Sequence, residues 1–114
     1  MTKLEIIDFV VNHFTTHDRS ISANGDCLYN GPNGEHCAFA LMCEHPELLT
    51  EGQATKYCLM DGAVLKPEFS GFKDTFYDDI QLLHDRDYFW ISLKGEGLSD
   101  KGLKHVATLK KQHK

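Results

Sequence analysis

The stretch from Gly25 to Met42 constrains the fold of this chain more than any other part of the sequence. Its centre, residues 30–34 (Asn-Gly-Pro-Asn-Gly), contains only residue types that favour tight reversals. Short apolar pieces flank this centre, and the second continues into Ala38–Met42, which are good helix formers. The pattern predicts a β-hairpin around residues 20–37 that leads directly into a buried helix and carries a cysteine at each end.

Local signals predict helices over most of the remaining chain. Thr2 and Glu5 match a capping box at the start of a first helix. Ser99 is placed to cap a last helix. Between them, four apolar residues spaced by four, four and three form an amphipathic stripe: Phe72, Phe76, Ile80 and Leu83. We therefore expect one small α+β domain over residues 1–114, mainly helical with three to five helices.

Size and composition point to an ordinary globular protein. The chain has 114 residues, of which 41% are hydrophobic and 25% charged, which suits a single modest core. Its apolar runs are shorter than the roughly 20 residues of a membrane helix, and the N-terminal residues do not resemble a signal peptide. These features predict a cytoplasmic protein that does not enter membranes. The four cysteines are then expected to be reduced.

Charge is unevenly distributed along the chain. Residues 101–114 carry five lysines and no acid, which predicts a basic C-terminal helix or tail, whereas the net charge of the whole chain is −5. The body of the protein is therefore acidic, so it should repel nucleic acid and attract basic protein surfaces. A charged surface that serves only solubility is the alternative interpretation.

The residues at the two ends of the predicted hairpin resemble a family of small uncharacterised proteins of bacteria and phages. The family pattern is close to C-x-Y-x-G-P-x-G-x-x-C-A-x-G-x-L, and this chain matches it at Cys27, Tyr29, Gly31, Pro32, Gly34, Cys37 and Ala38. Ala40 departs from the glycine that the family has at that position. The resemblance implies a mainly helical fold with a small hairpin and brings no activity with it.

Cys37 is the candidate nucleophile if the protein is an enzyme. A cysteine at the start of a helix is placed where the helix dipole favours a thiolate. His36 or His84 could then act as the base, with Asp85 orienting it. Residues 24–29 also resemble the nucleophile segment of ovarian-tumour-type deubiquitinases. The simpler interpretation is that Cys37 is a core residue.

A structural zinc site is a second alternative. Cys27 and Cys37 are joined by the predicted turn, and His36 or His84 could complete a tetrahedral set. The nine residues between the two cysteines do not match a C-x-x-C zinc motif, so the sequence predicts neither a metal nor another cofactor. A phosphate-binding loop is not predicted either, because residues 30–34 have no lysine or arginine nearby.

The candidate partner-binding residues are acids on and just after the helix predicted by the stripe from Phe72 to Leu83: Asp74, Asp78, Asp79, Asp85 and Asp87. Most of them lie off its apolar stripe, and a lysine-rich or arginine-rich protein surface is the expected partner. Taken with the resemblance to phage proteins, this predicts an accessory or inhibitory protein that acts on a host or defence complex that binds nucleic acid, in the manner of an anti-CRISPR inhibitor.

Overall fold

Five α-helices carry the fold in residues 1–60, 62–92 and 94–114, the part of the chain that the computed structural model describes. The helices are α1 (Lys3–Thr16), α2 (Ala38–Leu41), α3 (Thr55–Met60), α4 (Asp74–Asp85) and α5 (Asp100–Gln112). Three 3₁₀ turns connect them, at Pro46–Leu48, Pro67–Phe69 and Asp87–Phe89. None of these helices combines the length and the apolar character that crossing a membrane requires.

Local capping signals set the starts of α1 and α5, as the sequence predicts. The Thr2 hydroxyl accepts the N–H of Glu5, and the Glu5 carboxylate accepts the N–H of Thr2, which completes the capping box of α1. The Ser99 hydroxyl accepts the N–H of Gly102 at the start of α5. Both predicted caps are confirmed.

The core lies between α1, α2, α4 and α5. α2 packs on α4, and α5 packs on α1, on α4 and on the 3₁₀ turn Asp87–Phe89. α4 buries three of the four predicted stripe residues, whereas Phe72 lies before the helix and is only partly buried. α1 buries Ile6, Ile7, Val10 and Phe14 and leaves Leu4 exposed.

The predicted β-hairpin around residues 20–37, and with it the α+β class, is wrong. The described residues form no sheet, and the extended pairing is limited to isolated bridges, two of which fall in this segment: Ile21 with Cys27, and Asn30 with His36. The physical reason is that the chain turns again after each bridge. A tight turn does occupy residues 30–36, but its flanking residues never continue side by side as strands.

Two turns of the same construction replace the hairpin. Turn A covers residues 22–26 and turn B covers residues 31–35. In each, the first residue donates its N–H to the carbonyl of the fifth at 2.7 Å. The fourth residue is a glycine with a φ of 85°, Gly25 in turn A and Gly34 in turn B, a conformation that glycine adopts without strain.

Three side chains from outside the helix bind the C-terminal end of α4. The indole Nε1 of Trp90 donates to the carbonyl of Leu83 at 2.8 Å. The buried guanidinium of Arg19 donates to the carbonyl of His84 through Nε at 2.9 Å and Nη2 at 2.6 Å. The thiol of Cys27 donates to the carbonyl of Asp85 at 3.3 Å. Carbonyls that the helix leaves unpaired are thereby satisfied, and the segment containing both turns is fixed to α4.

Candidate functional site

Cys37 lies in the core rather than at a reactive site. Its side chain is fully buried, and its sulfur caps α2 by accepting the N–H of Ala40 at 3.3 Å. Burial raises the pKa of the Cys37 thiol to about 12. A thiol with that pKa stays protonated at neutral pH, so the geometry does not favour Cys37 as a nucleophile.

The two candidate bases, His36 and His84, form hydrogen bonds with other residues. Nδ1 of His36 lies 2.7 Å from Oδ1 of Asn30, and the residue lines a surface cleft of about 440 Å³ with His13 and His17. His84 is fully buried: its Nε2 accepts the N–H of Ser20 at 3.2 Å, so its Nδ1 carries the proton and donates to Asp85 at 2.8 Å. Burial lowers the pKa of His84, which keeps the imidazole neutral.

The four residues considered as zinc ligands have separate structural positions. Cys27 is exposed and bonded to α4, Cys37 is buried in the core, His36 lines the cleft beside α1, and His84 is buried beside Ser20. All four cysteines are free thiols. In residues 1–60, 62–92 and 94–114, no three His, Cys, Asp or Glu side chains are arranged to hold a metal ion.

The structure separates the five candidate acids into two groups. Asp74, Asp78 and Asp85 lie on one side of α4, because steps of four and seven residues return to the same side of a helix. Asp79 lies on another side, where it is paired with His113 of the α5 C-terminal cap at 2.8 Å. Asp87 lies beyond α4 and is paired with Arg19 at 3.0 Å.

A fourth acid, Glu51, lies across a surface cavity from Asp85 and was not among the sequence candidates. Glu51 and Asp85 line the same surface cavity of about 340 Å³. The Glu51 carboxylate accepts the N–H groups of Tyr29 at 2.6 Å and Asn30 at 3.1 Å, which holds turn B in place. We refer to Asp74, Asp78, Asp85 and Glu51 as the acidic face.

Within the described residues, three members of the acidic face, Asp78, Asp85 and Glu51, bind neutral hydrogen-bond donors. Asp78 accepts from the Thr55 hydroxyl at 3.3 Å. Asp85 accepts from the neutral His84 imidazole and from the Gln81 amide at 3.1 Å. Glu51 accepts from backbone N–H groups. These bonds orient the carboxylates without cancelling their charge, whereas Arg19 offsets the charge of Asp87.

The relation between the two turns was visible in the sequence but not recognised there. Asn24-Gly25-Asp26 and Asn33-Gly34-Glu35 repeat an Asn-Gly-acid triplet at an interval of nine residues. The residue two positions before each turn also has an equivalent bond, because Ser20 N–H binds the His84 ring and Tyr29 N–H binds Glu51. The triplet is the signal that would have revealed the repeat.

Comparisons of this chain with family models, with curated proteins and with solved structures found no match. The resemblance to small bacterial and phage proteins therefore stays a prediction, which rests on the residues between Cys27 and Ala38.

Proposed function

We propose that the protein works by binding another protein, and that the acidic face is the contact surface. The partner presents lysine-rich or arginine-rich surface, such as the nucleic-acid channel of a host or defence complex. The protein is then an accessory or inhibitory factor that occupies the channel in place of nucleic acid. A phage origin is part of this proposal.

The observation that carries the proposal is the arrangement of the acidic face. Three acids lie on one side of α4 and a fourth lies across a cavity from Asp85, and the hydrogen bonds that Asp78, Asp85 and Glu51 make within the described part of the chain are to neutral groups. These bonds hold three of the four carboxylates in place, so those three lose little conformational freedom when a basic surface approaches. Such a surface increases the rate of association with a basic partner more than it increases stability.

The test begins with identification of the partner by native mass spectrometry of the protein purified from its own host. Association rates are then measured over a range of ionic strengths for the parent and for the double variant Asp74→Asn/Asp78→Asn. Both acids are exposed, so the variant should fold normally. We expect association to slow about tenfold at low salt, with the difference shrinking as salt screens the charges.

A matched control is the double variant Asp18→Asn/Asp26→Asn, which removes the same charge from exposed positions near turn A. It should associate like the parent. Equal rates for the parent and the α4 variant at every ionic strength would reject the acidic face as the contact surface.

A further inference from the structure

Four large apolar side chains are exposed on α3 and on the segments before and after it. Met60 is 79% exposed, Val64 50%, Tyr57 47% and Leu48 45%. We refer to these four residues as the apolar patch. Neighbouring positions in the same segments, Cys58, Ala63 and Leu49, are buried in the core. The segments therefore fill the core with one set of side chains and present a second apolar set to solvent.

Gly62 lies between Met60 and Val64 in the sequence and next to Leu48 in the structure. A Cβ atom at Gly62 would lie 3.5 Å from Cδ1 of Leu48, so the Leu48 side chain lies against this glycine. Met60 and Val64 each stand two residues from Gly62. Tyr57 is one helical turn before Met60 on α3, which puts both on the same side of that helix.

Acids outnumber lysines in the segment that carries the apolar patch. The sequence from residue 44 to residue 68 contains five acids and two lysines. Glu44 and Glu47 are exposed beside the patch, and the N–H of Glu44 donates to the carbonyl of Val64 at 2.7 Å. Lys66, two residues after Val64, offsets one of these charges.

α3 connects the apolar patch to the acidic face. Thr55 at the start of α3 donates to Asp78 on α4, and Tyr57 and Met60 follow on the same short helix. An apolar surface with acids near it is complementary to a segment with apolar residues on one side and lysine or arginine on the other. Met60 adds an unbranched side chain that can adapt to differently shaped apolar groups.

We infer that the partner contributes a basic amphipathic segment, which places its apolar side chains on the apolar patch and its lysines or arginines against the acidic face and Glu44 and Glu47. This inference rests on the proposed function and specifies its partner class. The apolar contact supplies affinity that salt does not screen, and the acids supply the salt-dependent part.

The first test measures binding of a synthetic leucine–lysine peptide of about 18 residues, which is about five helical turns. Its leucines lie on one face of the helix. Two further peptides are compared: one with the same composition but with leucines spread around the helix, and one with glutamate in place of lysine. We expect the first peptide to bind at least about tenfold more tightly than either of the others. Equal binding of all three would overturn the inference.

The second test compares variants of the protein with the leucine–lysine peptide. Met60→Gln/Val64→Gln should weaken binding about tenfold at low and at high salt alike. The matched control Ile91→Gln/Leu103→Gln alters two other exposed residues, each 59% exposed, and should bind like the parent. A patch variant that binds as tightly as the parent would overturn the inference, and circular dichroism of each variant confirms that it is folded.

The two proposals fail in different ways. If Met60→Gln/Val64→Gln weakens binding at all salt concentrations while Asp74→Asn/Asp78→Asn has no effect, the apolar patch stands and the acidic face is rejected. If only the acid variant has an effect, the apolar patch is rejected. Sedimentation of the parent tests whether a second copy of the chain occupies the apolar patch. A dimer that Met60→Gln/Val64→Gln dissociates would show that it does, and would overturn the inference.

Discussion

The N–H of Ser20 donates to Nε2 of His84 at 3.2 Å, and this bond joins the segment that carries both turns to the end of α4. The bond fixes the tautomer of His84, because the remaining ring nitrogen must carry the proton that Asp85 accepts. His84 is fully buried, and its carbonyl binds Arg19. The residue is therefore a structural connection between two distant parts of the chain.

Replacing His84 by alanine should lower the free energy of unfolding by about 2–4 kcal/mol. The substitution leaves the buried Ser20 N–H without its partner and opens a cavity next to Phe14, whose ring lies 5.1 Å from the imidazole. Urea denaturation measures the change. His45→Ala, which alters an exposed histidine, is the control and should stay within about 0.5 kcal/mol of the parent. A similarly small effect at His84 would contradict the structural role.

Gly102 should not tolerate alanine, although alanine stabilises most helix interiors. The gain from helix propensity is about 1 kcal/mol. A Cβ at Gly102 would, however, lie 1.9 Å from the backbone carbonyl oxygen of Phe89, so α5 would have to move away from the 3₁₀ turn Asp87–Phe89. We expect Gly102→Ala to lower the thermal midpoint. Thr108→Ala, at an exposed position of the same helix, should raise it slightly, and a rise for both variants would contradict the close packing of α5.

Sequence patterns predicted the features of this fold that depend on local interactions. The caps at Thr2 and Ser99 and the stripe on α4 involve residues within a few positions of one another, so their spacing carries the information. The hairpin prediction was wrong for a local reason as well, since the repeated Asn-Gly-acid triplet marks two turns rather than one. A single turn signal between apolar residues does not reveal whether the flanking chain stays paired.

The candidate site was predicted only in part because its arrangement depends on distant contacts. Nothing near Asp79 in the sequence indicates that His113 will pair with it, and nothing near Arg19 indicates that Asp87 will. Because of these two pairs, Asp79 and Asp87 do not belong to the acidic face. Glu51 joins the surface only because the chain before α3 folds back towards the end of α4. Pairings of this kind are fixed by the tertiary structure.

Turn B should be sensitive to a side chain at its fourth position. Gly34 has a φ of 85°, where a β-branched residue is strained, so Gly34→Val should cost about 1–3 kcal/mol. Gly31 differs, because a Cβ there would meet the Glu35 carboxylate, the movable end of a side chain. Gly31→Ala should therefore cost less than Gly34→Val. Thermal midpoints of the two variants provide the measurement, and the reverse order would contradict the geometry of turn B.

Cys27 should react slowly although it is exposed. Burial of the sulfur and the nearby Asp85 raise the pKa of the thiol from 9.0 to about 11, which lowers the thiolate fraction about a hundredfold. A more basic thiolate is also more nucleophilic, which restores part of the lost alkylation rate. We therefore expect alkylation by iodoacetamide at pH 8 to be about tenfold slower than for a free cysteine. Mass spectrometry after proteolysis follows Cys27 separately from the buried cysteines. Alkylation at the rate of free cysteine would show that the thiol is not held by α4.

The free energy of unfolding should decrease in acid over a pH range that the histidine pKa values determine. Burial and the neighbouring His17 lower the pKa of His13 from 6.5 to about 4. Between those values the unfolded chain binds a proton at His13 that the native protein does not bind, so the free energy of unfolding decreases as pH falls. This destabilisation is absent above about pH 6.5, where His13 is unprotonated in both the folded and the unfolded chain. Burial lowers the pKa values of His84 and His105, which act in the same direction.

A histidine variant separates the contribution of His13 from the others. In His13→Gln, stability should depend less steeply on pH between 6.5 and 4 than in the parent. His45→Gln, at an exposed position, should retain the parent slope. Glu5 and Glu35, whose pKa values are lowered from 4.5 by hydrogen bonds, lose their stabilising effect only below about that pH, so the two windows can be distinguished. Urea midpoints measured at half-unit intervals of pH give the slopes, and an unchanged slope in His13→Gln would show that His13 is free to protonate in the folded protein.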